Sequence, residues 1–293
     1  MSGDGGHGIT IIAFIGNVFS PYYAWARRRG RGDPLHHCAV NAVLYGPGRK
    51  RWALTERGRD RLQRDAASLT VGPSSLSWDG NSLTIRLDEV TVPIPTRLRG
   101  TVRVHPTALL DRTFRLDAAG QHRWSPLAPC ARVEVALDRP SLRWSGEGYF
   151  DTNAGDAPLE DGFERWDWSR AALSPSLGGG AAVLYDVTRR DGTALSIALR
   201  ADPAGRVEDV EPPPPLRLPR TRWRVERTTR SDAGHTASVL RTLEDAPFYA
   251  RSVLSSHILG EAVTPMHESL SLDRFRAKPV QAMLPFRMPR AAR

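Results

Sequence analysis

The segment Leu76-Ser77-Trp78-Asp79-Gly80-Asn81-Ser82-Leu83-Thr84-Ile85-Arg86-Leu87 indicates the fold class of this 293-residue chain. Leu83, Ile85 and Leu87 alternate with polar neighbours, which is the period of a strand with one buried face. Asp79-Gly80-Asn81 lies between two such runs and has the residue types of a tight turn. The segment therefore predicts a β-hairpin.

Similar patterns extend on both sides of this hairpin and recur roughly every 8 to 12 residues, the spacing typical of β-sandwiches and barrels. No segment has a convincing length and period for an amphipathic helix. Residues 163–172 fit a short helix or a strand, and residues 56–67 fit one or two helical turns or a loop that leads into the next strand. We expect an all-β protein with little helix and further strands at 9–19, 38–45, 51–55, 90–94, 100–104, 121–124, 131–137, 142–151, 181–188, 195–200, 223–229, 238–244, 250–259 and 267–273.

The composition is that of a soluble globular protein with a basic surface. The formal net charge is +9, and only Lys50 and Lys278 among the 41 basic residues are lysine. Because Ala, Gly and Pro are also abundant, we attribute the arginine bias to a GC-rich genome. A positive surface would still favour anionic lipid or nucleic acid as a partner.

The chain shows no sign of secretion or of a membrane-spanning helix. Cys38 and Cys130 match no metal-ligand spacing, and we expect free buried thiols. No leader pattern opens the chain, and the apolar stretch 9–19 is shorter than the roughly 20 residues that a membrane helix needs. We expect a cytoplasmic protein, at most associated peripherally with the inner or an intracytoplasmic membrane. The apolar and basic tail 275–293 could make that contact, although a final strand with a frayed end is the favoured interpretation.

Several catalytic systems have no counterpart in the sequence. It contains no dinucleotide or phosphate-loop motif and no nucleophile elbow. His36 and His37 are adjacent, so on a strand they would point to opposite faces and chelate a metal poorly. No nucleic-acid-binding motif accompanies the arginine runs. We therefore expect no cofactor, no metal and no nucleic-acid partner.

The stretch Gly148-Tyr149-Phe150-Asp151-Thr152-Asn153-Ala154-Gly155-Asp156 places acids among aromatic residues. A carboxyl in such surroundings can have its proton affinity reset, which makes it a candidate for chemistry. The same residues also fit a strand followed by a turn formed by Asn153, Gly155 and Asp156. The residues alone leave both interpretations open.

Six stretches have the specificity of family motifs: Phe14-Ile15-Gly16-Asn17-Val18-Phe19-Ser20-Pro21-Tyr22-Tyr23, Glu89-Val90-Thr91-Val92-Pro93, His122-Arg123-Trp124, Gly148-Tyr149-Phe150-Asp151-Thr152-Asn153, Glu244-Asp245-Ala246-Pro247-Phe248-Tyr249-Ala250-Arg251 and His267-Glu268-Ser269-Leu270-Ser271-Leu272-Asp273-Arg274-Phe275. Together they resemble the carotenoid 1,2-hydratase family, also called hydroxyneurosporene synthases. The resemblance covers nearly the whole chain.

This resemblance implies two tandem lipocalin-like β-barrel or sandwich domains, which we place at residues 1–145 and 146–293. The first is expected to lack the aromatic-rich strand that precedes Gly3 in the family, and Ala154 replaces a family tryptophan. The resemblance also implies a hydro-lyase that needs no cofactor. Its substrates would be acyclic carotenoids such as neurosporene and lycopene, hydrated at the terminal 1,2 double bond to give a tertiary alcohol at carbon 1.

The residues linked to catalysis in the family match His122, Trp124, Tyr149 and Asp151. Each pair is spaced i, i+2 on a predicted strand and therefore faces one side of its sheet. We expect a protonated Asp151 to donate a proton, His122 to orient or reprotonate it, and the two rings to stabilise a carbocation. The alternative makes Asp151 a turn residue, His122 a surface residue and the rings core residues.

Two other functions compete with a hydratase. A catalytically silent, lipocalin-like carrier of isoprenoid lipids would have the same all-β shell, since such shells enclose apolar ligands. A basic nucleic-acid-binding β-protein would show steep salt dependence, which we do not expect.

Overall fold

The chain folds mainly into antiparallel strands, which confirms the predicted all-β class. The computed structural model describes residues 1–48 and 50–291. The strands of the first half are β1 Gly8–Ile15, β2 Cys38–Tyr45, β3 Arg51–Leu54, β4 Leu62–Arg64, β5 Ser68–Val71, β6 Ser74–Trp78, β7 Leu83–Val90, β8 Arg97–Pro106, β9 Phe114–Arg115, β10 His122–Arg139 and β11 Leu142–Gly155. Those of the second half are β12 Phe163–Ala172, β13 Ala181–Arg189, β14 Ala194–Ala201, β15 Val207–Asp209, β16 Pro215–Leu218, β17 Arg227–Arg230, β18 Ser238–Asp245, β19 Tyr249–Ile258, β20 Glu261–Val263 and β21 Met266–Ser271.

The helices are short. The α-helices are α1 Pro21–Arg28, α2 Leu159–Gly162, α3 Leu272–Phe275 and α4 Lys278–Met283, and 3₁₀ turns lie at Pro34–His36, Arg59–Arg61, Pro175–Leu177 and Leu284–Phe286. The predicted final strand and frayed tail are therefore wrong for the described part of the tail, which forms short helices up to Phe286. Helix α1 was not predicted, although Ser20 and Pro21 have the residue types of a helix start. The Ser20 hydroxyl accepts the Tyr23 amide at 3.0 Å.

The hairpin predicted around Gly80 is confirmed. β6 and β7 pair in antiparallel register with Trp78 opposite Leu83. Asp79 Oδ1 accepts the amides of Asn81 and Ser82, at 2.9 and 2.7 Å. Gly80 has a φ of 98°, which favours glycine because it has no Cβ. Local turn chemistry thus fixes the register of this strand pair.

The chain forms two compact units, and each unit is assembled from more than one segment of the chain. Unit 1 comprises Met1–Pro106, Arg132–Gly148 and the chain from Gln281 on, whereas unit 2 comprises Thr107–Ala131 and Tyr149–Val280. The domain boundaries predicted from the sequence therefore remain a proposal. β10 and β11 each contribute residues to both units.

Unit 1 contains a sheet of order β1-β2-β3, and its central strand β2 is buried along its whole length. The strand order β11-β10-β8-β7-β6-β5-β4 defines a second sheet, with β9 on β10. The sheet of unit 2 has the order β15-β14-β13-β12-β21-β19-β18, with β20 on β19, and β16 pairs with β17. None of these sheets of the described chain closes on itself.

Strand β12 positions functional side chains on both of its faces. Residues 163–172, which the sequence left open between helix and strand, form this strand. Trp168 lies opposite Tyr185 of β13 and Glu268 of β21, and Glu268 lies opposite Arg251 of β19. Because directly paired residues share a face, these four side chains form one row across the sheet. We call them the cross-sheet row.

Candidate active site

Asp151 lies on β11 and accepts two side-chain hydrogen bonds on one carboxyl oxygen. Trp124 Nε1–H of β10 donates to Asp151 Oδ2 at 2.9 Å, and the Tyr149 hydroxyl donates to the same atom at 3.0 Å. Tyr149 and Asp151 are two residues apart on one strand, so they share a face. The structure therefore brings three of the four predicted site residues together.

The turn predicted after Asp151 is wrong. β11 continues through Asn153 to Gly155, and the Asp156 amide beyond it donates to the Gln121 carbonyl at 2.9 Å. Pairing with β10 outweighs the turn preference of Asn and Gly. Asp151 thus lies within a strand rather than at the start of a turn.

The surroundings of Asp151 raise its pKa. The residue is half-buried, and loss of solvent around the carboxyl raises the pKa to about 6, against hydrogen bonds from Trp124 and Tyr149 that lower it. The negative charge of Glu268 raises it further. Burial and the charge of Asp151 also hold the pKa of Tyr149 well above its ordinary value, so this phenol remains a neutral donor.

The two donors determine which oxygen of Asp151 can carry an acidic proton. Both donors point at Oδ2, so in the neutral acid the proton belongs on Oδ1. An acid with one oxygen fixed in this way can present its proton in a defined direction.

Aromatic rings surround the carboxyl. The Trp124 indole is 1% exposed and contacts Phe114 and Tyr185 at ring-centroid distances of 5.3 and 5.1 Å. The Tyr149 ring lies 4.9 Å from that of Trp168. Aromatic faces attract cations, so this cluster can stabilise positive charge that develops beside the acid.

The cross-sheet row supplies residues that the sequence did not single out. Glu268 accepts a hydrogen bond from Arg251 Nε at 2.9 Å, and its charge acts on both Asp151 and Tyr185. Burial, with a smaller effect of the Asp151 charge, raises the pKa of Tyr185 well above its ordinary value. Glu268 and Arg251 lie in stretches that resemble the family motifs, and this resemblance was the only feature of the sequence that could have indicated them. Tyr185 lies in a predicted apolar strand without such a feature.

His122 occupies a different position from the one expected. Its Nδ1 lies 2.9 Å from Asp117 Oδ2, and its Nε2 lies 3.0 Å from the Ala157 carbonyl oxygen. Its backbone amide also donates to Asp117 Oδ2 at 2.7 Å. His122 is therefore buried within its own hydrogen-bond set, and the structure does not bring its ring into hydrogen-bond contact with Asp151.

Cys38 is buried and Cys130 half-buried, and within the described chain neither forms a disulfide. Within residues 1–48 and 50–291, no group of three or more His, Cys, Asp or Glu side chains is arranged to hold a metal ion. Over the same residues, no helix has both the length and the apolar character needed to cross a bilayer.

Fold and site together define an all-β protein with a half-buried acid set among aromatic rings. The sequence profile of the family described as "Carotenoid hydratase CrtC" matches residues 11–293. The chain therefore belongs to the carotenoid hydratase family, as the resemblance predicted.

Relatives of known name align over almost the whole chain. The acyclic carotenoid 1,2-hydratase of Thiocapsa roseopersicina is 58% identical over 99% of this chain and 71% of its own length. That of Rubrivivax gelatinosus is 52% identical over 100% and 72%, respectively. That of Cereibacter sphaeroides is 41% identical over 96% and 98%. No solved structure gives a significant match.

Proposed function

We propose that this protein is a hydro-lyase that adds water to the terminal 1,2 double bond of acyclic carotenoids such as neurosporene and lycopene. The observation that carries the proposal is the carboxyl of Asp151, half-buried among aromatic rings and fixed at Oδ2 by Trp124 and Tyr149. The names of the relatives support the same reaction.

In the first step, the neutral Asp151 transfers its proton from Oδ1 to carbon 2 of the alkene. The π bond breaks, its electron pair forms the new C–H bond, and positive charge develops on the more substituted carbon 1. The raised pKa of Asp151 keeps a fraction of the acid protonated near neutrality. An apolar substrate that displaces solvent would enlarge this fraction, because desolvation disfavours the carboxylate.

In the second step, the aromatic faces of Trp124 and Tyr149 stabilise the tertiary carbocation until water attacks carbon 1. The attacking water forms the C–O bond and loses a proton, and the Asp151 carboxylate takes this proton up. The acid is regenerated, one water is consumed, and the balance requires no redox partner. His122 would act by positioning the strands rather than by touching the reacting atoms.

The experiment is conversion of lycopene by the purified full chain, supplied in detergent micelles and analysed for a product one water heavier. In D₂O the product should contain one deuterium bound to carbon 2, because the proton on Asp151 exchanges with solvent. Asp151→Asn should lower the rate about 10²- to 10⁴-fold, the usual contribution of a general acid. The Asn oxygen can still accept both hydrogen bonds, so this variant should fold.

The matched control is Asp156→Asn, which changes the same functional group five positions away. Asp156 pairs with Arg123 at 2.9 Å, and its side chain is 66% exposed, so conversion should be retained. Full activity of Asp151→Asn would exclude this carboxyl as the donor. Tight lycopene binding by the wild type without any oxygenated product would instead identify a carrier.

The proposal includes peripheral contact with an anionic bilayer, since the substrate class dissolves in membranes and the chain has a net charge of +9. Flotation of the protein with anionic vesicles, and not with neutral ones, is the expected result. Failure to float would contradict the proposed membrane contact but would not affect the proposed reaction.

A further inference from the structure

A cleft of about 420 Å³ lies on the surface of unit 2 and is rich in arginine. None of the proposed catalytic residues lines it, so it is separate from the Asp151 site. Its six lining residues are Arg165, Arg220, Arg224, Glu226, Ser271 and Arg274. We call it the arginine cleft. A volume of this size is in the range of small-molecule sites.

The positive charge of the arginine cleft is only partly compensated. Arg220 forms an ion pair with Glu226. Arg165 Nη1 lies 3.8 Å from the same Glu226, and Arg165 Nε lies 3.7 Å from Asp167. One exposed carboxylate in the cleft therefore faces four guanidinium groups.

Two of these guanidinium groups have no carboxylate partner within the described chain. Arg274 donates from Nε to the Pro247 carbonyl and from Nη2 to the Trp223 carbonyl, the latter at 2.7 Å. Carbonyl groups hold the side chain in place but leave its charge available. Arg224 forms neither a hydrogen bond nor an ion pair through its side chain with the residues described.

The turn that carries Arg224 is held rigidly. Asp245 Oδ2 accepts the backbone amides of Arg222 and Trp223, at 2.9 and 3.3 Å, and Val225 is completely buried. Arg224 itself has a φ of 60°, which residues with a Cβ rarely adopt. Such backbone conformations persist where the surroundings enforce them, and they concentrate at functional sites.

Trp223 beside Arg224 is 47% exposed. An exposed indole next to cationic side chains suits the interface between a bilayer and water, where tryptophan is enriched. The backbone carbonyl of Trp223 is the same group that fixes Arg274. The exposed ring and the cleft are thus parts of one local structure.

We propose that the arginine cleft binds a phosphate group, carried by either a lipid headgroup or a soluble molecule. Several guanidinium groups match the multiple oxygens and the charge of a phosphate, and each can donate two parallel hydrogen bonds. The net lining charge of four arginines and one glutamate favours an anion. This site is independent of the proposed reaction and goes beyond it.

The test uses the purified full chain and two probes that distinguish the sources of phosphate. Glycerol phosphate, titrated by calorimetry, represents a soluble ligand. Vesicles of phosphatidylcholine with and without phosphatidic acid, assayed by co-sedimentation, represent a lipid headgroup. Binding of glycerol phosphate indicates a soluble ligand, and binding of phosphatidic acid vesicles alone indicates a lipid. Either result supports the phosphate site.

Arg220→Gln/Arg224→Gln should weaken binding about tenfold or more, because it removes charge-assisted hydrogen bonds and frees Glu226 to repel the anion. The control Arg217→Gln/Arg222→Gln removes the same charge from exposed positions outside the cleft lining. It should change binding less than twofold at physiological salt, where exposed charges are screened. Glu226→Gln should strengthen binding, since it removes the opposing carboxylate.

Two results would overturn the proposal. One is equal loss of binding in the cleft and control variants, which would indicate general surface charge. The other is a wild-type chain that binds neither probe at low salt. Retained lycopene conversion in the cleft variants would leave the reaction at Asp151 standing in either case, so failure of one proposal is distinguishable from failure of the other.

Discussion

At the scale of single residues, the pKa of Asp151 is set by effects that act in opposite directions. Loss of solvent and the charge of Glu268 raise its pKa, whereas the hydrogen bonds from Trp124 and Tyr149 lower it. The outcome of about 6 leaves roughly a tenth of the free enzyme protonated at pH 7. Conversion should therefore fall as the pH rises through about 6, because the neutral acid is the donor.

Glu268→Gln tests this balance. Removing the negative charge lowers the pKa of Asp151, so the decline in conversion should begin at a lower pH and the rate at pH 7 should fall several-fold. The Gln oxygen can still accept a hydrogen bond from Arg251, so the cross-sheet row should keep its structure. A pH–rate profile measures the shift. The exposed Glu208→Gln should keep the wild-type profile, and a midpoint of Glu268→Gln that moved upward or stayed fixed would contradict the argument.

At the scale of elements, His122 joins the start of β10 to the chain on both sides of it. Its ring contacts Asp117, which precedes the strand, and the Ala157 carbonyl, which follows β11. His122 thus holds the ends of the two strands that carry Trp124 and Asp151. We propose that it is a positioning residue for the acid.

His122→Ala and Asp117→Ala should each lower the free energy of unfolding by about 2–3 kcal/mol, because each leaves the other side chain of this hydrogen-bonded pair without its partner. The double variant should cost little more than either single one, since the two side chains act through each other. Urea unfolding measures the free energies, and lycopene conversion per folded molecule is the second readout. A variant of His122 with wild-type stability and abolished conversion would return this residue to a direct role.

Strand β12 also carries a polar group on the face opposite the cross-sheet row. Asp167 is buried and accepts the Thr228 amide at 3.2 Å and the Ser269 hydroxyl. Burial raises its pKa to about 7. Its folded state therefore binds a proton that the unfolded chain has already released, so the stability it contributes is present below pH 4 and is lost as the pH rises through 7.

Asp167→Asn should remove this loss of stability with rising pH. Between pH 5.5 and 8.5 the wild type should lose about 2 kcal/mol more of its unfolding free energy than the variant loses. His267, whose pKa burial lowers to about 4, acts in the opposite direction, with stability lost as the pH falls from 6.5 towards 4. Because this effect arises mainly from burial of the His267 ring, it should act in the same direction in both proteins. Urea unfolding at the two pH values checks the difference, and parallel pH dependences would contradict it.

At the scale of the whole molecule, the sequence predicted what depends on local pattern. Alternation and turn residues predicted the hairpin around Gly80, and the i, i+2 spacing together with the family resemblance predicted that Trp124, Tyr149 and Asp151 meet. Glu268 and Tyr185 reach the same site through the register of strands far apart in the chain. No local pattern encodes that register. The family-like stretch around Glu268 therefore did not indicate that this residue lies beside Asp151, and no feature of the sequence singled out Tyr185.

The C-terminal segment shows the same dependence on distant pairing within unit 1. The Glu56 amide donates to the Pro289 carbonyl, and the Ala291 amide donates to the Glu56 carbonyl, both at 2.9 Å. The completely buried Glu56 carboxylate forms an ion pair with Arg290, and Glu56 Oε1 lies 2.9 Å from His37 Nδ1. A segment that the sequence suggested would fray is therefore held by a buried charge.

Ending the chain at Phe286 removes Arg290 and leaves the Glu56 carboxylate buried beside His37 alone. Breaking a buried ion pair in this way costs about 3–5 kcal/mol, so the amides of β2 and β3 should exchange with deuterium about a hundredfold faster or more. Hydrogen exchange followed by mass spectrometry measures this strand by strand. Phe286→Ala is the control, because this ring is 78% exposed and its loss should change stability by less than about 0.5 kcal/mol. Equal protection of β2 in the truncated and full chains would show that the ion pair does not stabilise unit 1.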